Sequence, residues 1–130
     1  MENKKVVLIT EDESTLRRAL HDKLGAEGLM VLEAKNGEEG LEIALKEHPD
    51  LILVDIIMPK MDGLTMLQKL RENDEGKKIK FIILTNLDST EHIANAIKAV
   101  GGDESTFEYY IKTDTKLEDI VEKVEQKLLS

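Results

Sequence analysis

Leu51-Ile52-Leu53-Val54-Asp55-Ile56-Ile57-Met58-Pro59-Lys60-Met61-Asp62-Gly63 is the stretch on which the fold turns. Four consecutive aliphatic residues, bounded by Pro49-Asp50 on one side and Pro59 on the other, predict a short strand buried on both faces. Such strands lie in the middle of parallel sheets. The strand delivers one carboxylate, Asp55, and then breaks. A lone Asp at a strand end ordinarily bonds to neighbouring backbone amides, so its meaning depends on what the rest of the chain brings beside it.

On the N-terminal side, Lys5-Val6-Val7-Leu8-Ile9-Thr10 predicts a first buried strand ending at the acidic run Glu11-Asp12-Glu13. Leu16, Ala19, Leu20 and Leu24 recur at helical spacing, giving a helix capped by Ser14 and stopped by Gly25 to Gly28. Leu29 to Ala34 predicts a second strand whose more polar tail suits a sheet edge. Asn36 as N-cap, with Glu39 three residues on, opens a helix carrying Leu41, Ala44 and Leu45, which His48-Pro49 ends. On the C-terminal side, Leu64, Leu67 and Leu70 mark a third helix stopping at Glu75-Gly76. Ile79 to Leu84 predicts a fourth strand ending at Thr85. Asp88 and Glu91 cap a helix with Ile93, Ile97 and Val100, ended by Gly101-Gly102. A fifth strand runs from about Phe107 to Ile111 and ends at Lys112. Thr115-Lys116-Leu117-Glu118 reads as a capping box before a last helix with Ile120, Val121, Val124 and Leu128.

Five strands alternating with five helices predict an α/β fold, a doubly wound five-stranded parallel sheet with helices on both faces. At 130 residues, 41% hydrophobic and 35% charged, the chain is expected to form one domain spanning residues 1–130. It has no cysteine, which excludes disulfides and thiolate metal sites. Glu11-Asp12-Glu13 cuts the first apolar run too short for a signal peptide or a membrane span, so a cytoplasmic protein is expected. A formal net charge of -9 opposes direct nucleic-acid binding.

Parallel strands place their C-terminal ends on one edge, where ligands of open α/β sheets bind. That edge is expected to gather Glu11 and Asp12, Asp55, Thr85 and Lys112. Each alone is ordinary: Thr85 suits a strand, Lys112 a solvated surface, and Glu11-Asp12 the N-terminus of a helix. Together they are a set. Three carboxylates in one crevice require a positive partner. An oxygen-only donor set suits Mg²⁺, and His21, His48 and His92 fall on three separate helices or helix ends, as surface residues. Such a site meets the needs of phosphoryl transfer, with Asp55 as nucleophile and Lys112 and the Thr85 hydroxyl offsetting charge on the phosphoryl oxygens.

Val7 to Glu13, Leu53 to Pro59 with Met61-Asp62-Gly63, Leu84-Thr85 and Tyr109-Tyr110-Ile111-Lys112 together resemble the receiver domain of two-component response regulators, over essentially the whole chain. The resemblance implies a flavodoxin-like fold with strand order 2-1-3-4-5. It implies that Asp55 accepts a phosphoryl group from the phosphohistidine of a histidine kinase or histidine phosphotransfer protein. It assigns Mg²⁺ to Asp12, Asp55 and the Ile57 carbonyl, with Glu11 in an outer acidic position. It makes Thr85 and Tyr109 the switch pair. The fourth helix, fifth strand and fifth helix become the output face, through which a homodimer would form. Asn86 stands where the family has a small residue, and Thr113 follows Lys112 where a proline is usual. The loop at 102–106 is longer than the common form. Asn86 and Leu87 flank the expected phosphoryl pocket, and apolar Ile57 and Leu87 predict slow self-dephosphorylation, since neither orients a water.

Other classes fit less well. A phosphohydrolase of the haloacid dehalogenase type needs a second acid two residues after the nucleophile, and Ile57 stands there. A nucleotide or flavin module needs a glycine-rich loop after the first strand, where the acidic run stands instead. A receiver used only for protein contacts would not require the intact acid, threonine and lysine set.

Overall fold

A computed structural model describes residues 4–86, 98 and 108–129. Its strands are β1 (Val6–Thr10), β2 (Met30–Ala34), β3 (Leu51–Val54), β4 (Lys80–Thr85) and β5 (Glu108–Ile111), all parallel, in the order β2-β1-β3-β4-β5. This is the doubly wound, flavodoxin-like arrangement expected above, with β2 at an edge. The predicted fourth helix lies outside the described residues except for Lys98, which is helical and exposed. Leu87, His92, the 102–106 loop and Phe107 lie outside them too.

The strand pleat sorts the core into two halves, because successive side chains point to opposite faces. Leu8, Ile52, Val54, Phe81 and Ile83 face α2 (Gly37–Glu47) and α3 (Gly63–Arg71), meeting Ala44, Met66, Leu67 and Leu70. Val7, Ile9, Leu51, Leu53, Ile82 and Leu84 face α1 (Ser14–Ala26) and the C-terminal helix (Leu117–Leu129), meeting Leu20, Leu24, Ile120, Val121 and Val124. All four β3 residues are buried, as the central position of that strand demands. Each fully buried aliphatic contributes about 1.5–3 kcal/mol over its exposed state.

Local boundaries depart from the sequence reading in instructive ways. Ser14 is the first residue of α1 rather than its cap. Glu13 occupies the N-cap with no side-chain cap bond, and its own N–H donates to Glu11 Oε2 at 3.1 Å. The turn is thus set by the acidic run itself. Asn36 caps α2 as expected, accepting from the Glu39 N–H at 2.9 Å, while Glu39 Oε1 reaches back to the Lys35 N–H at 3.1 Å. The helix ends at His48, which is left-handed at φ 49°. Helix α3 stops at Arg71, four residues before the predicted end. Asn73 Oδ1 accepts from the N–H groups of Glu75 and Gly76, folding the chain into a short 3₁₀ turn at Gly76–Lys78. Among the described residues no helix is long and apolar enough to cross a membrane.

Candidate functional site

The ends of β1, β3, β4 and β5 meet at one edge of the sheet, as parallel pairing requires. Thr10, the last residue of β1, is paired with Ala34 and Val54, and its carbonyl accepts from the Asp55 N–H at 3.0 Å. That bond sets Asp55 one step beyond the last paired residue of β3, beside Glu11. Thr85 ends β4, fully buried, in register with Ile111. Lys112 follows immediately in a 3₁₀ turn (Lys112–Asp114).

Lys112 joins the acids. Its Nζ lies 2.6 Å from Glu11 Oε1 and 2.9 Å from Asp55 Oδ2, with a side chain only 10% exposed. The sequence reading paired this lysine with the phosphoryl group and set Glu11 at the periphery. The structure instead makes Glu11 a buried partner of Lys112, while Asp12 is the exposed acid. Charge alternation gives no such signal, because neighbouring residues on an extended chain point to opposite sides and only the packed geometry decides which one turns inward.

Burial pushes the Glu11 carboxyl up to about 7, the hydrogen bond from Lys112 opposing the shift and the Asp55 charge adding to it. Asp55 is raised as well, first by burial, against the Lys112 hydrogen bond and charge and the Ile57 amide. Burial pulls Lys112 down, but its bonds to Glu11 and Asp55 outweigh that and raise it. The lysine is therefore a fixed cation between two reluctant anions.

Carboxylate oxygens of Glu11, Asp12 and Asp55 lie within 4.8 Å of one another. Three carboxyl groups face one ammonium, and every donor is a hard oxygen. That set fits a divalent hard cation such as Mg²⁺. The triplet opens on a crevice of about 420 Å³ lined by Asp12, Glu13, Asp55, Ile57, Asn86 and Lys112. Ile57 projects its side chain into solvent there, 59% exposed.

The loop after Asp55 is held by backbone. The Met61 N–H donates to the Pro59 carbonyl at 2.8 Å across Lys60, which takes φ 65°. This is a tight three-residue turn that costs energy for a residue with a Cβ. Gly63 donates to the Ile56 carbonyl at 2.8 Å, and a Cβ on it would run into the Asp55 carbonyl. Asp62 caps α3, its Oδ1 accepting from the Thr65 N–H at 2.7 Å. From the other side, Gly37 donates to the Met61 carbonyl at 2.9 Å, so α2 begins by bracing this loop.

Of the residues singled out from sequence, Asp12, Asp55, Ile57, Asn86 and Lys112 line the crevice, Glu11 joins Asp12 and Asp55 in the acidic triplet, and Thr85 is buried at the end of β4. Tyr109 is half-buried on β5, in register with Ile83 and packed against the α2–α3 half of the core. His48 is at the surface, whereas His21 is half-buried with its Nδ1 2.8 Å from Glu33 Oε2.

Fold and site together define a parallel α/β protein with an acidic triplet and a lysine at the C-terminal edge of its sheet. A family model described as the response regulator receiver domain matches residues 7–125. The chain belongs to that family, whose members are signalling proteins of two-component systems. It is 42% identical over 85 residues to a probable transcriptional regulator ycf27 of Cyanophora paradoxa, covering 65% of this chain and 34% of that protein. It is 39% identical over 85 residues to sporulation initiation phosphotransferase F of Bacillus subtilis (strain 168), covering 65% of this chain and 66% of that one. The match thus spans about a third of the length of the ycf27 relative. The crystal structure of a CheY-like receiver domain protein from Methanospirillum hungatei JF-1 superposes with a TM-score of 0.81 at 29% identity, covering 97% of this chain and 94% of that chain.

Proposed function

We propose that the chain, residues 1–130 as one receiver domain, is a phosphoacceptor switch in which a carboxylate oxygen of Asp55 takes a phosphoryl group from the phosphohistidine of a partner kinase or phosphotransfer protein. An O–P bond forms at Asp55 as the P–N bond breaks, and the imidazole leaves. Lys112, already at 2.9 Å from Asp55, passes from a carboxylate partner to the phosphoryl oxygens and keeps the site neutralised. Asp12, Asp55 and the Ile57 carbonyl would hold Mg²⁺, with Glu11 behind them; when bound, the ion supplies charge neutralisation at the phosphoryl oxygens. The Thr85 hydroxyl turns toward the new group, and Tyr109 follows, altering the face built on β5 and the C-terminal helix. Asn86 lines the pocket. The reaction the chain catalyses is its own phosphorylation and dephosphorylation.

The observation that carries this reading is the reach of Lys112 across 57 residues of chain to a carboxylate at the end of the central strand. Incubation with Mg²⁺ and a small-molecule phosphodonor, followed by intact mass, is expected to show one phosphoryl adduct. A chelator should abolish it. An adduct that forms equally well with chelator present would count against the metal assignment.

A further inference from the structure

The peptide between Glu11 and Asp12 is held from outside the sheet. Register pairing of β1 ends at Thr10, and the Glu11 N–H still finds the Ala34 carbonyl at 3.0 Å. Beyond that point the Glu11 carbonyl is taken up by a side chain. Arg17, from the first turns of α1, donates through Nη1 to that carbonyl at 2.8 Å and through Nε to Glu33 Oε1 at 2.9 Å. Glu33 sits on the edge strand β2, and its other oxygen lies 2.8 Å from His21 Nδ1, one helical turn after Arg17. The Arg17 side chain is 13% exposed and that of Glu33 36%, so the fork is buried at its inner end and open at Glu33. A planar guanidinium bonded at two of its nitrogens has little freedom to swing.

We propose that Arg17 is a positioning residue for the acidic triplet: braced by Glu33, it fixes the Glu11–Asp12 peptide plane and so the direction in which both acids enter the crevice. The peptide group is planar, so orienting the Glu11 carbonyl also orients the Asp12 nitrogen, and with it the start of the Asp12 side chain. Glu11 has a second hold in Lys112, but Asp12 is exposed and depends on its backbone for direction. The inference rests on the reading of the triplet as a Mg²⁺ site.

Charge and geometry make opposite predictions here. Arg17 is a cation beside a candidate cation site, so if its charge were all that mattered, removing it would tighten Mg²⁺ binding. A positioning role predicts weaker binding, and loss of an outer contact of this kind typically weakens metal affinity about 10- to 100-fold. The test is titration calorimetry of Mg²⁺ into the parent, Arg17→Met, Arg17→Lys and a Leu128→Ala control that loosens the core away from the crevice. Arg17→Met is expected to bind at least about tenfold more weakly than the parent. Arg17→Lys, which keeps the charge but not the fork, should fall between them, and Leu128→Ala should match the parent. Parent-like or tighter binding by Arg17→Met overturns the positioning role and leaves the metal site standing. Equal weakening in Leu128→Ala overturns it too, by showing that any loss of stability suffices. A parent that takes up no Mg²⁺ overturns the metal reading, and the role of Arg17 with it. If Arg17→Met does not fold, Arg17→Lys decides: weaker binding supports the role and parent-like binding refutes it.

Discussion

At the scale of single residues, the crevice is a compromise between burial and charge. Glu11 and Asp55 are held nearly out of water by the strands that carry them, and Lys112 offsets only part of the cost. For Glu11 the folded-state pKa of about 7 stands above its unfolded value of 4.5. Its contribution to stability is therefore fully present below about 4.5 and is lost as pH rises through about 7. In Mg²⁺-free buffer, Glu11→Gln should lack this loss, so the parent should lose stability relative to the variant between those two values. Denaturant titrations of both proteins across that range check the sign, and a parent that gains on the variant would contradict it. The chemistry of Asp55 and Lys112 is legible in the sequence because each ends an apolar run. The inward turn of Glu11 is not, since nothing in Glu11-Asp12-Glu13 distinguishes one acid from the next until the strand register fixes which of them faces the core.

At the scale of elements, the loop from Pro59 to Gly63 shows how backbone contacts hold a reactive side chain in place. Gly63 permits α3 to start directly against the Asp55 carbonyl, and Gly37 lets α2 brace Met61 from the opposite side. Gly63→Ala would force the loop away from Asp55, at a cost of about 1–3 kcal/mol in stability, since a packed site yields only by moving backbone. It should also slow phosphorylation of Asp55 more than that loss of stability explains, because Gly63 abuts the Asp55 carbonyl and bonds to that of Ile56. Equilibrium unfolding and the rate of adduct formation, measured on the same variant, separate the two effects. The helices were readable from their apolar spacing, and the cap of α2 from Asn36 and Glu39. The early end of α3 was not, because Asn73 acts through a side-chain bond to N–H groups two and three residues ahead, which overrides the propensity of the residues between.

At the scale of the molecule, the parallel order β2-β1-β3-β4-β5 turns residues at the ends of four strands into neighbours; strict strand–helix alternation predicts the doubly wound parallel sheet, while the order itself follows from the family resemblance. Two core halves, sorted by the pleat, keep β1 and β3 rigid beneath the crevice, so that Glu11 and Asp55 need no rearrangement to meet Lys112. This convergence is expected to single out Asp55 among three adjacent carboxylates as the phosphoacceptor. Treating the phosphorylated chain with borohydride, which reduces an acyl phosphate to the alcohol, and mapping the reduced residue by peptide mass spectrometry tests that choice directly. Reduction at Asp55 alone is the predicted result, and a label on Glu11 or Asp12, or one that persists in Asp55→Asn, would contradict it.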